Sequence, residues 1–269
     1  MTRLISGILL AAVALAAILF FPPVLLRVLA MVVAALGADE YLRVTDHRPT
    51  YARWIVIATV VYACWWMSRL EPFSDTTRDP GAFVLLVIVT AFCLGWVTLS
   101  VLASDRTIQG SATDLLAPVY VGLPLGMLVG VQVDAGWRAT LLLLGTIVVS
   151  DSAQYYTGRA FGSRPLAPTI SPKKTVEGAI GGVIFGVLFV IGASRFMLPG
   201  MSVSVGIILG AIVVALGIIG DLFESRLKRV AGVKDSSSLI PGHGGVLDRI
   251  DALLFATPAF YYALVRGYL

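Results

Sequence analysis

Charge is scarce in this chain: Asp, Glu, Lys and Arg together make up 13% of its 269 residues, against roughly 25% in soluble domains. A water-soluble fold of this length would have no surface for the remaining apolar side chains, 58% of the sequence, so the bilayer must be the solvent for most of them. Cysteine is almost absent. Cys64 and Cys93 each lie inside an apolar run, where a thiol behaves as a small hydrophobe. No CxxC or other zinc spacing exists, so redox and zinc chemistry drop out. There are two histidines. The net charge is only +4, and the basic residues sit in loops between apolar runs, so they speak for membrane topology and anionic headgroups, with no nucleic acid involved. The N-terminal run Leu4 to Phe21 resembles a signal peptide but is long for an h-region, and Phe20-Phe21-Pro22-Pro23 is a poor cleavage context, so it is expected to be the first transmembrane helix.

What is present is a series of nine apolar segments, roughly 4–21, 23–39, 53–69, 82–103, 115–133, 138–157, 175–194, 203–224 and 248–267. Each approaches the ~20 residues that a spanning helix needs. The expected fold is therefore an all-α, polytopic integral membrane protein with about nine transmembrane helices. Residues 1–140 would form an N-terminal scaffold, with dimer or lipid contacts, and residues 141–269 would carry the site. Pro22-Pro23 separates the first two segments, and Pro118 and Pro124 are expected to kink the fifth. Glycines at 178, 181, 182 and 186 would let the seventh segment approach its neighbours closely. The basic residues favour alternate loops, above all 158–174 and 225–248. By the positive-inside rule this puts the N-terminus and both polar loops in the cytoplasm.

Three polar constellations interrupt the apolar pattern. A charge in hydrocarbon costs at least about 2.5–3.5 kcal/mol, so each is a candidate functional element. The first, Asp151-Ser-Ala-Gln-Tyr-Tyr-Thr-Gly-Arg159, ends the sixth segment with Asp151, Gln154, Tyr155 and Gly158 along one helical face and Arg159 beside them. The second is Ser171-Pro-Lys173-Lys174-Thr175-Val-Glu177, just before the seventh segment. Serine or threonine at a helix start, followed by Glu177, has the form of N-capping chemistry, and free N–H groups with two lysines make an anion site. The third spans Gly220 to Asp251. Asp221, Glu224, Ser225 and Lys228 share one face of the eighth segment, and Asp248 and Asp251 share one face of the ninth. Neighbouring acids repel unless a cation joins them, and Mg2+ takes hard oxygen ligands, commonly one or two carboxylates plus substrate phosphates. Between those helices Pro241-Gly-His243-Gly244-Gly245 offers a turn whose backbone can approach phosphate.

These residues resemble the phosphatidate cytidylyltransferase (CDP-diacylglycerol synthase) family. Its C-terminal motif is matched throughout from Ser225 to Asp251, including Lys234-Asp235-Ser and Pro-Gly-His-Gly-Gly-Val-Leu-Asp248-Arg249-Ile-Asp251. The stretch Leu166 to Gly178 matches a second family segment and Asp151 to Arg159 a third, while residues 1–140 agree mainly in hydropathy. Two positions depart from the pattern: Gln154 stands where alanine is usual, and Ser237 where glycine is common. The resemblance implies the reaction of CTP with phosphatidate to give CDP-diacylglycerol and pyrophosphate, with Mg2+, a second cation such as K+, a homodimer, and residence in the cell's inner membrane with the site facing the cytoplasm.

Under that resemblance, Asp221, Asp248, Lys173, Lys174 and Lys234 are the candidate catalytic residues. Asp221 and Asp248 would bind Mg2+, with Asp251 as a further ligand or a second-metal residue. Lys173, Lys174, Lys228, Arg229 and Lys234 would hold phosphates. Ser171, Thr175, His243, Gly244 and Gly245 would position them, with Glu224, Asp235, Arg249 and Arg159 also in the substrate site. Asp151 and Tyr155 would line the pocket on the lipid-headgroup side. A secondary transporter would instead place its acids near the bilayer midplane between matching halves; here the acids gather at one interface and no halves match. A sister enzyme acting on another lipid phosphate stays open, because acyl chains leave little trace in sequence.

Overall fold

The computed structural model describes residues 2–45, 50–69, 114, 116–242 and 244–269. The expected segment 82–103, with Cys93, lies outside the described residues. Within them the chain is predominantly helical. Helix α1 is Thr2–Phe20, α2 Pro23–Thr45 and α3 Thr50–Met67. A five-residue π-helix, Pro118–Gly122, leads directly into α4, Leu123–Phe161. Two short strands follow, β1 Pro165–Ala167 and β2 Ser171–Thr175, then α5 Val176–Met197, α6 Val203–Val230 and α7 Leu247–Val265.

Proline and glycine set most of the breaks. Pro23 opens α2 at a first-turn position that needs no N–H, after α1 has ended at Phe20. Around Pro118 and Pro124 the fifth segment departs from regular α-helix. Pro124 cannot donate to the helical ladder, and the turn before it widens into the π-helix, with Leu123 N–H bonded to the Pro118 carbonyl. A further break falls at Gly136, whose φ of 76° is left-handed and open to glycine. It separates the fifth and sixth apolar segments within α4.

Helices α4, α5 and α6 are long and apolar enough to cross a membrane; α1 and α3 contain shorter apolar stretches. Helix α5 has the packing of a membrane helix. Ile180, Ile184, Phe185 and Leu188 are about half exposed, while Gly178, Gly181, Gly182 and Gly186 are buried. Large apolar groups face outward and small residues face the neighbour, the reverse of a water-soluble helix. A Cβ at Gly178 would lie 2.8 Å from the Gln154 carbonyl oxygen, and one at Gly182 2.5 Å from Gln154 Cγ. The two helices therefore touch nearly backbone to backbone, beside the first polar constellation.

Two apolar clusters hold the helices together. One joins Tyr41 and Leu42 of α2 and Val60 of α3 to Tyr120 of the π-helix and to Leu227 and Leu247 of α6 and α7. The other joins Leu142 and Leu143 of α4 to Val190 of α5, Val213 of α6 and Phe260 of α7. The first cluster brings the N-terminal helices against the ends of α6 and α7 that carry the third constellation.

The loop expected at 158–174 contains the two-stranded sheet among the described residues. β1 and β2 pair antiparallel, Pro165 with Thr175 and Ala167 with Ser171. The capping expected at the start of α5 is present in part: Thr175 accepts from Gly178 N–H at 3.1 Å. Glu177 does not complete a capping box. Its carboxylate turns to Ser163 and Arg164, accepting from both backbone N–H groups at 3.1 and 3.2 Å and from the Arg164 Nε at 3.0 Å. It pins the strand pair to the helix rather than closing the helix on itself.

Candidate active site

Helices α4 and α6 end where α5 and α7 begin, so the three constellations meet at one end of the helix assembly. Helix α6 comes close to α7 at Gly220, where a Cβ would lie 2.5 Å from the Asp251 carbonyl oxygen. Asp221 follows immediately and lies within electrostatic reach of Asp251.

Lys174 of β2 forms an ion pair with Asp221. Ser225, one turn further along α6, donates to the other oxygen of Asp221 at 3.3 Å. Asp151, on the outer side of α4, lies within electrostatic reach of Lys174, Asp221 and Asp251, and Gln154 donates to it at 3.0 Å. The unusual Gln154 thus has a partner in the site and a packing role against Gly182. Arg229 Nε reaches the Ile170 carbonyl at 3.4 Å, a second tie between the strand pair and α6.

A second ion pair lies deeper. Lys228 Nζ contacts Glu224 at 2.5 Å and Asp248 Oδ1 at 2.6 Å. The other oxygen of Asp248 accepts from Gly245 N–H at 2.7 Å and from the N–H and hydroxyl of Ser236, both at 3.0 Å. Gly244, at a φ of 79°, makes the left-handed turn that brings this backbone onto the carboxylate, and Ile240 N–H closes the turn on the Gly244 carbonyl at 2.8 Å. Glu224 is 1% exposed, and its Oε1 is buried without a hydrogen-bond partner.

One carboxylate here comes from the N-terminal half. Glu40 of α2 is 3% exposed. Its Oε1 accepts from Ser237 hydroxyl at 2.7 Å and Val246 N–H at 3.0 Å; its Oε2 accepts from Ser236 hydroxyl at 3.0 Å and Leu247 N–H at 2.7 Å. The Ser236 hydroxyl has one proton and shares it between Glu40 and Asp248. In sequence, Asp39-Glu40 reads only as the polar fringe of an apolar run. Nothing local marks a contact with a loop almost two hundred positions away, so Glu40 was not legible there.

The remaining candidates are arranged less tightly. Lys173, Lys234, Asp235 and Arg249 are exposed around the rim. Tyr155 and Arg159 are exposed on α4 and contact one another at 3.4 Å. Ser171 lies in β2, and the Thr175 hydroxyl is occupied by the cap of α5. His243 lies outside the described residues. Among the described residues, Lys174 and Lys228 are the lysines ion-paired with Asp221, Glu224 and Asp248, and no three His, Cys, Asp or Glu side chains form a closed metal cage.

The chain matches the model of the cytidylyltransferase family over residues 1–266. It is 34% identical over 280 residues to a phosphatidate cytidylyltransferase of Haemophilus influenzae, covering 97% of this chain and 96% of that one. It is 32% identical over 279 residues to one of Pseudomonas aeruginosa, covering 96% and 94%, and 31% identical over 221 residues to one of Aquifex aeolicus, covering 79% and 83%.

Proposed function

The chain belongs to the cytidylyltransferase family, and from that premise we propose that it transfers CMP from CTP to phosphatidate, giving CDP-diacylglycerol and pyrophosphate. The observation that carries the reading is the Lys174–Asp221 pair. It joins the phosphate-ready strand loop to the acidic faces of α6 and α7, so cationic and acidic residues from both constellations belong to one site.

In the reaction a phosphate oxygen of phosphatidate attacks the α-phosphorus of CTP. A new P–O bond forms, the bond from the α-phosphorus to the bridging oxygen breaks, and the electrons leave with pyrophosphate. The nucleophile is already anionic, so no strong base is required. The barrier lies in bringing two polyanions together, and fixed cations and N–H donors lower it. Lys174 and Lys228 hold phosphates from within the site, and Lys173, Arg229 and Lys234 from the rim. Ser171, Thr175, His243 and the Gly244-Gly245 backbone orient the triphosphate. Asp151 and Tyr155 face the lipid side, with Arg159, Asp235 and Arg249 at the periphery.

The acids gathered here would attract a divalent cation such as Mg2+. The acids Asp151, Asp221, Glu224, Asp248 and Asp251 outnumber the two paired lysines, and one buried Glu224 oxygen has no hydrogen-bond partner. An open set of carboxylates suits an ion that usually takes one or two of them together with substrate phosphates. Asp221, Asp248 and Asp251 would hold it, and the surplus of acids also accommodates a second cation such as K+. Bound there, Mg2+ supplies charge neutralisation at the triphosphate.

Placement supports the same reading. Helix α6, with 28 residues, is about 42 Å long against a hydrocarbon core of about 30 Å. A span beginning near Val203 reaches the far edge of the core about twenty residues later, near Asp221. There the phosphate of a lipid whose tails stay in the bilayer meets a nucleotide arriving from water. We assign that side to the cytoplasm, with nine spans, a cytoplasmic N-terminus, an inner-membrane location and a homodimer.

The test is turnover by purified protein given radiolabelled CTP, with lipid acceptor and divalent ion varied. Labelled CDP-diacylglycerol, formed only with Mg2+ and phosphatidate, is expected. Asp221→Ala should lower kcat by at least about 10²-fold while the protein remains membrane-inserted. Wild-type turnover by Asp221→Ala would remove Asp221 from the site.

A further inference from the structure

We propose that Glu40, in the N-terminal helix α2, is a positioning residue for nucleotide transfer: its buried carboxylate holds the α6–α7 loop in the shape that presents Asp248 and the Gly244-Gly245 backbone to the triphosphate. The inference rests on the nucleotide reading of that loop given above.

The geometry is specific. Each oxygen of Glu40 accepts two hydrogen bonds, one from a serine hydroxyl in the middle of the loop and one from a backbone N–H at its end. One carboxylate therefore ties the middle of the loop, Ser236 and Ser237, to the point where it enters α7, Val246 and Leu247. The two N–H groups belong to the start of α7, which has no side-chain cap of its own, so Glu40 supplies that cap from another helix. The clamp also leads to the chemistry. Ser236 bridges Glu40 to Asp248, and Asp248 in turn accepts from Gly245 N–H and pairs with Lys228. Gly245 is required at this point, because a Cβ there would overlap both Ser236 Oγ and the Glu40 carboxylate.

A passive packing contact would need neither the charge nor both oxygens. With Glu40 replaced by glutamine, an NH2 group faces a backbone N–H that can only donate, and the serine hydroxyl beside it must turn to accept, so that side of the clamp is weakened at nearly constant volume. Aspartate keeps the charge but is one methylene short. The loop carries the proposed contacts to the triphosphate, so its displacement should act on CTP and spare phosphatidate.

The experiment uses the full chain in detergent and compares wild type, Glu40→Gln, Glu40→Asp and Ser237→Ala by steady-state kinetics in CTP and in phosphatidate, equilibrium binding of radiolabelled CTP, and melting temperature. In Glu40→Gln, kcat/KM for CTP should fall about tenfold or more, as expected for loss of charge-assisted hydrogen bonds. KM for phosphatidate should stay within about twofold. Glu40→Asp should recover part of the loss. Ser237→Ala removes one of the four bonds and leaves the buried charge in place. It should lower kcat/KM for CTP by about two- to fivefold, and it decides the matter should Glu40→Gln not fold. Wild-type kinetics in Glu40→Gln, or in Ser237→Ala when Glu40→Gln is unfolded, overturn the proposal whatever the melting temperatures. A wild type that turns over while the variants match it removes this proposal alone; a wild type that binds no CTP removes the nucleotide reading with it.

Discussion

Lys174 and Lys228 do two kinds of work in one position. Each neutralises an acid that would otherwise be close to others, and each ends in an ammonium suited to phosphate. Their acidic partners stand out in the sequence, because a charge inside an apolar run is costly. Replacing Lys174 by Met keeps the chain length and removes the charge, leaving Asp221 facing Asp151 and Asp251 without a counter-charge. The expected result is a loss of about 10²-fold in kcat/KM for CTP, read by initial-rate kinetics. Glu40 shows the opposite case. Its sequence neighbourhood is unremarkable for a helix end, and its four donors are supplied by a segment far along the chain.

At the scale of elements, hydropathy locates helices by the part of them that meets lipid. That is why the apolar segments at 23–39 and 203–224 correspond to longer helices, Pro23–Thr45 and Val203–Val230. The polar turns at their ends keep backbone hydrogen bonding, which hydropathy does not register. The same extension carries Glu40 on α2 and Lys228 on α6 into the site. The strand pair before α5 has no signature in the sequence, since two strands of three and five residues lie below any periodic signal. Thr175 is the hinge between that pair and α5. Thr175→Ala should lower the stability of the detergent-solubilised protein by about 1 kcal/mol through loss of the N-cap, measured as a drop in melting temperature. An unchanged melting temperature would show that the ties of Glu177 to Ser163 and Arg164 hold the junction alone.

For the molecule as a whole, the strongest constraint is its solvent. Outward-facing isoleucines, leucines and phenylalanines on α5 and α6, with glycines between the helices, make sense in lipid and not in water. All of the named acids and paired lysines then lie toward one end, while the break at Gly136 lies toward the other. Trp137 and Lys234, both exposed, should therefore be on opposite sides of the membrane. In a background with Cys64 and Cys93 replaced by serine, Lys234→Cys should react with an impermeant thiol reagent only in inverted vesicles, and Trp137→Cys only in right-side-out vesicles. Labelling of both from one side would refute the placement of the site at the cytoplasmic face.

By itself the sequence determined that this is a membrane protein whose polar constellations gather in the last 120 or so residues. Those properties are local: a charge, a proline or an apolar run has its meaning within a few turns of helix. Only the tertiary structure decided that β2 would reach Asp221, that Asp221 would come within electrostatic reach of Asp251, and that a glutamate from α2 would clamp the loop ahead of Asp248. These depend on which helix faces meet and at what separation. That is set by the packing of the whole bundle, which no stretch of sequence encodes alone.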